Sequence, residues 1–285
     1  STLASRQAAD WLRAQGGLVR VLYLSGLASP LLKANKPIDA MARLVEVDLS
    51  GNRSEPLDLA PLANMTDLRM LDLHGSPISD AQLAHLGRLF DLGTLYLNQT
   101  SIGNLGLGHL SGLRRLEELN LASTQVSTSG LLRLRRLNRL ANLDLSRTSV
   151  DDAVFDELSR HPYLRVLGLA GTAVTDAGLA RLEPSVRLQE LNLDETAVTD
   201  SGVAQLNRFR NLQRVSLAGT KVTPAGAAQL HDALPKCKIL LGSDAVPSVK
   251  SKSPPPQVVK NSSPANKKKT VEPRSKQPKA AVGVP

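Results

Sequence analysis

Leucine recurs along this chain every 24 residues, at Leu44, Leu68, Leu92, Leu116, Leu140, Leu164, Leu188 and Leu212. Equal steps of that length mark a repeat architecture, in which each unit buries its apolar face only against its neighbours. Each unit opens L-x-x-L-x-L, as in Leu92, Leu95 and Leu97 or Leu188, Leu191 and Leu193. The alternation over the last four positions predicts a short strand with two apolar side chains on one face. Three residues later stands a small polar residue: Asn52, Ser76, Thr100, Thr124, Thr148, Thr172, Thr196 or Thr220. Its side chain can satisfy the backbone groups of a buried turn from inside. Two residues further, Ile78, Ile102, Val126, Val150, Val174, Val198 and Val222 return to the core.

A helix follows, and proline locates its start. Pro56 and Pro224 share a repeat position with Asp80, Asp152, Asp176 and Asp200. Proline suits the first helical residue, where no N–H is needed, and aspartate suits the positive end of the helix dipole. That makes Ser79, Asp151, Thr175, Thr199 and Thr223 the expected N-caps. Leu83 and Leu86, Leu107 and Leu110, Leu179 and Leu182 then face inward at i, i+3 spacing.

The ends depart from the pattern. Residues 1–17 carry Ala8, Trp11 and Leu12 at helical spacing before Gly16 and Gly17, which predicts a helix covering the open end of the array, with the lone tryptophan as a plug. Val19 to Leu24 reads as a first, irregular strand and Ser25 to Arg43 as its degenerate return. The array is expected to occupy 18–242, about eight regular repeats and one irregular one.

The motif L-x-x-L-x-L-x-x-T-x-V-T-D-x-G-L-x-x-L resembles the leucine-rich repeat family, in a 24-residue variant of bacterial multi-repeat proteins related to the repeats of F-box proteins. Leu164, Leu167, Leu169, Thr172, Val174, Thr175, Asp176, Gly178, Leu179 and Leu182 match it position by position, and the resemblance covers roughly Leu44 to Leu241. It implies an α/β leucine-rich repeat solenoid, a curved horseshoe with a parallel β-sheet on the concave side and short helices on the convex side. The closing segment to Ile239 is similar to the way such arrays end. In that group the array is often the C-terminal part of a longer protein, sometimes a serine/threonine kinase, and a chain that opens at Ser1 without methionine fits a missing upstream part.

Function is then expected on the outward residues of the strands. One row runs Tyr23, Asp48, Asp72, Tyr96, Asn120, Asp144, Gly168, Asn192 and Ser216. A second runs Val21, Glu46, Met70, Thr94, Glu118, Asn142, Val166, Glu190 and Arg214. Six of these are acidic and one is basic, so the face is expected to bind a basic or polar protein partner, with Tyr96, Met70 and Tyr23 as apolar anchors. The competing reading makes the Asp and Asn positions only solvated background. Arg133, Arg135, Arg136, Arg139, Arg160 and Arg181 are placed on the convex side and loops, compensating the acidic face.

Charge changes the picture only at the C-terminus. The chain carries a net +9, but residues 243–285 hold nine Lys or Arg against Asp244 and Glu272, so the array is nearly neutral. This tail has eight of the 17 prolines and no aromatic residue, a composition that predicts disorder. Its active alternatives are association with nucleic acid or an anionic membrane, docking of Pro254 to Pro256, or folding back over the acidic face.

Catalytic chemistry is not indicated. His74, His85, His109, His161 and His231 are scattered and read as surface histidines, Cys237 reads as a cap residue, and no phosphate loop, catalytic triad, metal or cofactor site is expected. The single cysteine leans towards a reducing compartment such as the cytoplasm. No apolar run is long enough to span a membrane, and a monomer is expected.

Overall fold

The computed structural model describes residues 10–12, 14–15, 18–22, 32–33, 43–53, 57–183 and 187–242, all within the first of the two units of the chain, Ser1–Lys250. Tyr23, Pro56 and the tail from Ser243 lie outside them. The strands are β1 (Leu18–Leu22), β2 (Leu32–Lys33), β3 (Arg43–Asp48), β4 (Met70–Asp72), β5 (Thr94–Tyr96), β6 (Glu118–Asn120), β7 (Asn142–Asp144), β8 (Val166–Gly168), β9 (Glu190–Asn192), β10 (Arg214–Ser216) and β11 (Lys238–Leu240). From β3 to β11 they stack in chain order in one parallel sheet. The register equals the sequence period: Glu46 pairs with Met70, Thr94 with Glu118, Val166 with Glu190, and Arg214 with Lys238. Strands about 4.8 Å apart on one side and wider helical turns on the other curve the stack with the sheet inside.

The first strand differs from its expected role as an irregular parallel repeat. It pairs antiparallel with both β2 and β3, and its register shifts between Arg20 and Val21. The residues between β1 and β3 do not carry the repeat pattern L-x-x-L-x-L-x-x-T-x-V-T-D-x-G-L-x-x-L, which is complete at Leu164–Leu182 and recurs in part in the other repeats.

The period builds one continuous core. Leu68, Leu92, Leu116, Leu140, Leu164 and Leu188 are fully buried, as are Leu83, Leu86, Leu107, Leu110, Leu179 and Leu182. After each strand from β3 to β10 the chain turns through a left-handed residue, glycine at Gly51, Gly75, Gly171 and Gly219 but Gln99, Ser123, Arg147 and Glu195 elsewhere. The residue after it in Thr100, Thr124, Thr148, Thr172, Thr196 and Thr220 closes the turn, its hydroxyl donating to the carbonyl three residues back at 2.5–2.6 Å. Ser76 reaches instead to Leu49 of the preceding repeat.

Thr175, Thr199 and Thr223 cap the helices Asp176–Arg181, Asp200–Val203 and Pro224–Ala233, with Pro224 at the first helical position. Two helices begin later than expected. Gln82–Leu86 is a 3-10 turn whose Gln82 side chain occupies the Ser79 N–H and hydroxyl, and Val154–Leu158 starts beyond an Asp151 carboxylate that accepts from the Ala153 N–H.

The aspartates expected to serve the dipole do something more specific. Each reaches across to the next repeat and accepts from its N-cap residue: Asp152 from the N–H and hydroxyl of Thr175, Asp176 from those of Thr199, and Asp200 from those of Thr223, all at 2.6–2.8 Å. Asp80 takes the Gly103 N–H, and Asn104 takes that of Ser127. These carboxylates and the Asn104 amide press on the third residue of the next helix. A Cβ at Gly106, Gly130, Gly178, Gly202 or Gly226 would lie closer than 3.0 Å to the side chain reaching over from the repeat before. Where the reaching residue is Thr128, whose hydroxyl accepts from the Asp151 N–H and donates to the Asp151 carboxylate, the facing position holds Val154.

At the N-terminal end, residues 10–12 and 14 are helical, Leu12 is buried in the core, and Trp11 packs against it. The Asn52 side-chain amide donates to the Gln15 carbonyl at 3.2 Å. At the other end Leu234, Cys237 and Leu240 are buried as β11 closes the sheet. Burial pushes the Cys237 thiol up to about 11. The native protein is expected to leave Cys237 unmodified by a disulfide-exchange reagent at pH 8, with one thiol reacting after denaturation; rapid labelling of the folded protein would refute its burial.

His161 corrects the reading of five surface histidines. It is 3% exposed, with Nδ1 3.2 Å from the Leu137 carbonyl, and burial holds its pKa below the ordinary imidazole value. It stands where neighbouring repeats place Leu89, Leu113 and Leu137.

Candidate binding face

The inner face of the sheet presents two rows of side chains with different environments. In the first, Glu46, Met70, Thr94, Glu118, Asn142, Val166, Glu190 and Arg214 are all half-buried, each with part of its side chain open to solvent. Strand pairing puts them next to one another in that order, and Lys238 extends the row as an exposed cation beside Arg214.

The second row is more enclosed, and its Asp and Asn members are bonded to the turns that follow them. Asp48 accepts from the Ser50 N–H, Asp72 from His74, Asn120 from Ala122, Asp144 from Ser146 and Asn192 from Asp194, at 2.9–3.0 Å. An Asp or Asn two residues ahead of a turn holds that turn from its own side chain. Asp144 is 2% exposed and also takes the Ser146 hydroxyl at 2.6 Å. Gly168, bland as a recognition residue, is required by this arrangement: a Cβ there would collide with the Asp144 carboxylate. Ser216 is fully buried and Asn120 nearly so.

Tyr96, an expected apolar anchor, is 3% exposed and forms a wall of the face instead of a protruding ring. Burial holds the neighbouring Glu118 carboxyl above its ordinary value, against the downward pull of the Tyr96 hydroxyl. Asp72 is also held up, first by burial and then by the negative charge of Asp48, against the His74 N–H and imidazole. Both carboxylates therefore sit where a cation would be welcomed. Met70 is the one expected anchor on this face with open apolar surface, since Tyr23 lies outside the described residues.

On the outer side the expected charge compensation is local. Arg135 and Arg160 reach Glu157 at 2.7 and 3.7 Å, and Arg181 pairs with Asp156. Arg133, Arg136 and Arg139 have no ion-pair partner among the described residues. Among those residues, no group of three His, Cys, Asp or Glu is placed to hold a metal ion, and no helix is long and apolar enough to cross a membrane.

Repeats in register, an inner parallel sheet and short outer helices define the leucine-rich repeat solenoid as the class of this fold. Among solved structures, an internalin C2 from Listeria monocytogenes is similar to it, with a TM-score of 0.57 and 20% identity over 84% of this chain and 92% of that one. An internalin, inlF, from the same organism gives 0.48 and 19% identity over 64% of this chain; the match spans 56% of the internalin. No family model and no curated protein matches the chain.

Proposed function

We propose that this chain is a non-catalytic protein-recognition module whose partner docks on the inner face of the sheet. Glu46, Met70, Glu118, Asn142, Glu190 and Arg214 form the contact row, and Asp48, Asp72, Tyr96, Asn120, Asp144 and Asn192 shape it from behind; Tyr23 extends the face on sequence grounds. In this reading residues 1–17 cover one end of the array, and the basic segment 243–285 is an appendage to it. The observation that carries the reading is the continuous, partly open first row over nine strands, with three glutamates and two of the face's carboxyls held above their ordinary values. A basic segment of a partner matches that charge.

Asp72 and Asp144 hold turns, so charge reversal there would confound binding with folding. Glu118 and Glu190 are the cleaner probes. A partner recovered by crosslinking to the full chain is expected to bind E118K/E190K about tenfold or more weakly and R136E, on the outer side, as it binds the wild type. Equal affinity of wild type and E118K/E190K would remove the inner face from recognition.

A further inference from the structure

At the flank of the sheet where the chain enters β6, β7 and β8, six side chains wall a cavity of about 390 Å³: Glu117, Arg139, Ala141, Tyr163, Arg165 and Arg187. The repeat assembles it. Arg139, Tyr163 and Arg187 stand just before the core leucines Leu140, Leu164 and Leu188, and Glu117, Ala141 and Arg165 stand just after Leu116, Leu140 and Leu164. Two columns of the solenoid therefore converge here. One step back along the first column, Arg115 is neutralised by Asp91 at 2.5 Å. The three arginines of the cavity have no such partner: among the described residues none of their guanidinium groups makes an ion pair or a hydrogen bond. Three guanidinium groups face one carboxylate, Glu117, which leaves two positive charges unmatched. Tyr163, between Arg139 and Arg187 in the stack, is 55% exposed, an unusual position for a large aromatic ring.

The ligand class follows from charge and shape. A single carboxylate would match half of the surplus, whereas a phosphate monoester carries nearly two negative charges at neutral pH and three acceptor oxygens. Guanidinium forks fit those oxygens in paired hydrogen bonds. Arg139 and Arg187 lie two repeats apart, about 10 Å along the stack, so they can close on a phosphate from both sides with Arg165 behind. The exposed ring of Tyr163 offers a surface on which a second aromatic ring can stack. We propose that this pocket binds an aryl phosphate monoester, with its phosphate held by Arg139, Arg165 and Arg187 and its ring against Tyr163. The site is separate from the inner-face reading and does not depend on it.

Calorimetric titration of the full chain tests the proposal with phenyl phosphate, phenyl sulfate and inorganic phosphate as probes. Phenyl phosphate is expected to bind saturably and phenyl sulfate, with one charge, at least fivefold more weakly. R139A/R187A is expected to weaken phenyl phosphate about tenfold or more, while R136A, an exposed arginine outside the pocket, leaves it unchanged. Y163A is expected to weaken phenyl phosphate but not inorganic phosphate. All of these residues are exposed, and circular dichroism checks that each variant stays folded. A phosphotyrosyl peptide that binds about tenfold more tightly than phenyl phosphate would identify a modified protein as the source; equal binding would identify a free aryl phosphate. Absence of saturable phenyl phosphate binding, equal binding of the sulfate, or an equal loss in R136A would overturn the proposal.

Discussion

Replacing Gly202 by alanine is expected to destabilise the array by about 3–5 kcal/mol, a large effect for one methyl group in a helix where alanine is ordinarily the better residue. The cause lies in the preceding repeat. The Asp176 carboxylate occupies the space a Cβ would need, and its own α-carbon is 3.1 Å away. The carboxylate cannot swing aside freely, because Oδ1 accepts from the Thr199 N–H and Oδ2 from the Thr199 hydroxyl. Overpacking costs about 1–3 kcal/mol, and hydrogen bonds to a charged group are each worth about 1.5–3 kcal/mol. Urea denaturation of a double-mutant cycle measures the coupling. D176A alone is expected to lose the two bonds, whereas G202A added to D176A is expected to be nearly neutral. An equal penalty for G202A in both backgrounds would show that the carboxylate is not what forbids the side chain.

Lowering the pH from 7 to 5 is expected to destabilise the wild type relative to H161L, at up to about 1.4 kcal/mol per pH unit. The sign follows from burial. An imidazole whose folded pKa lies below its unfolded value of 6.5 binds fewer protons when folded, so its full contribution is present above pH 6.5 and is lost as the pH falls through that value. Asp72 and Glu118 act in the opposite sense, since carboxyls held up by burial favour the folded state more as they protonate. Glu157, held down by Arg135, loses its contribution only below the ordinary glutamate value of 4.5. The difference between wild type and H161L isolates the imidazole. Leucine is the residue of this column in the three preceding repeats, and the Leu137 carbonyl keeps its bond from the Leu140 N–H at 3.1 Å. At pH 7 the variant is therefore expected within about 1.5 kcal/mol of the wild type. Parallel melting curves at the two pH values would disprove the assignment.

Features that repeat within one 24-residue window were legible in the sequence. The strand leucines, the turn threonines and the caps at Thr175, Thr199 and Thr223 each follow from local spacing and side-chain chemistry. Features made between windows were harder to see. The partner of Asp176 is Thr199, 23 residues on, and the dipole explanation was sufficient when one helix was considered alone. The sign was available in the next repeat, where glycine follows an Asp or Asn but Val154 follows Thr128. On the inner face, alternation places both rows outward equally. Only the turns divide them, by drawing Asp144 and Asn120 down onto the backbone. His161 was readable from its leucine column. The arginine pocket was not, because its members are two residues apart in the motif and 24 apart in the chain.

The Asp-to-Gly contact also sets which repeats can be neighbours. Excising 164–187 would bring Asp152 up to Gly202, a junction of the kind the protein already uses. Excising 116–139, a deletion of the same length and phase, would set Asn104 against Val154, with a branched side chain where the joint needs bare backbone. The array thus resembles a set of keyed blocks, and its evolutionary freedom to gain or lose length is confined to cuts whose new faces interlock.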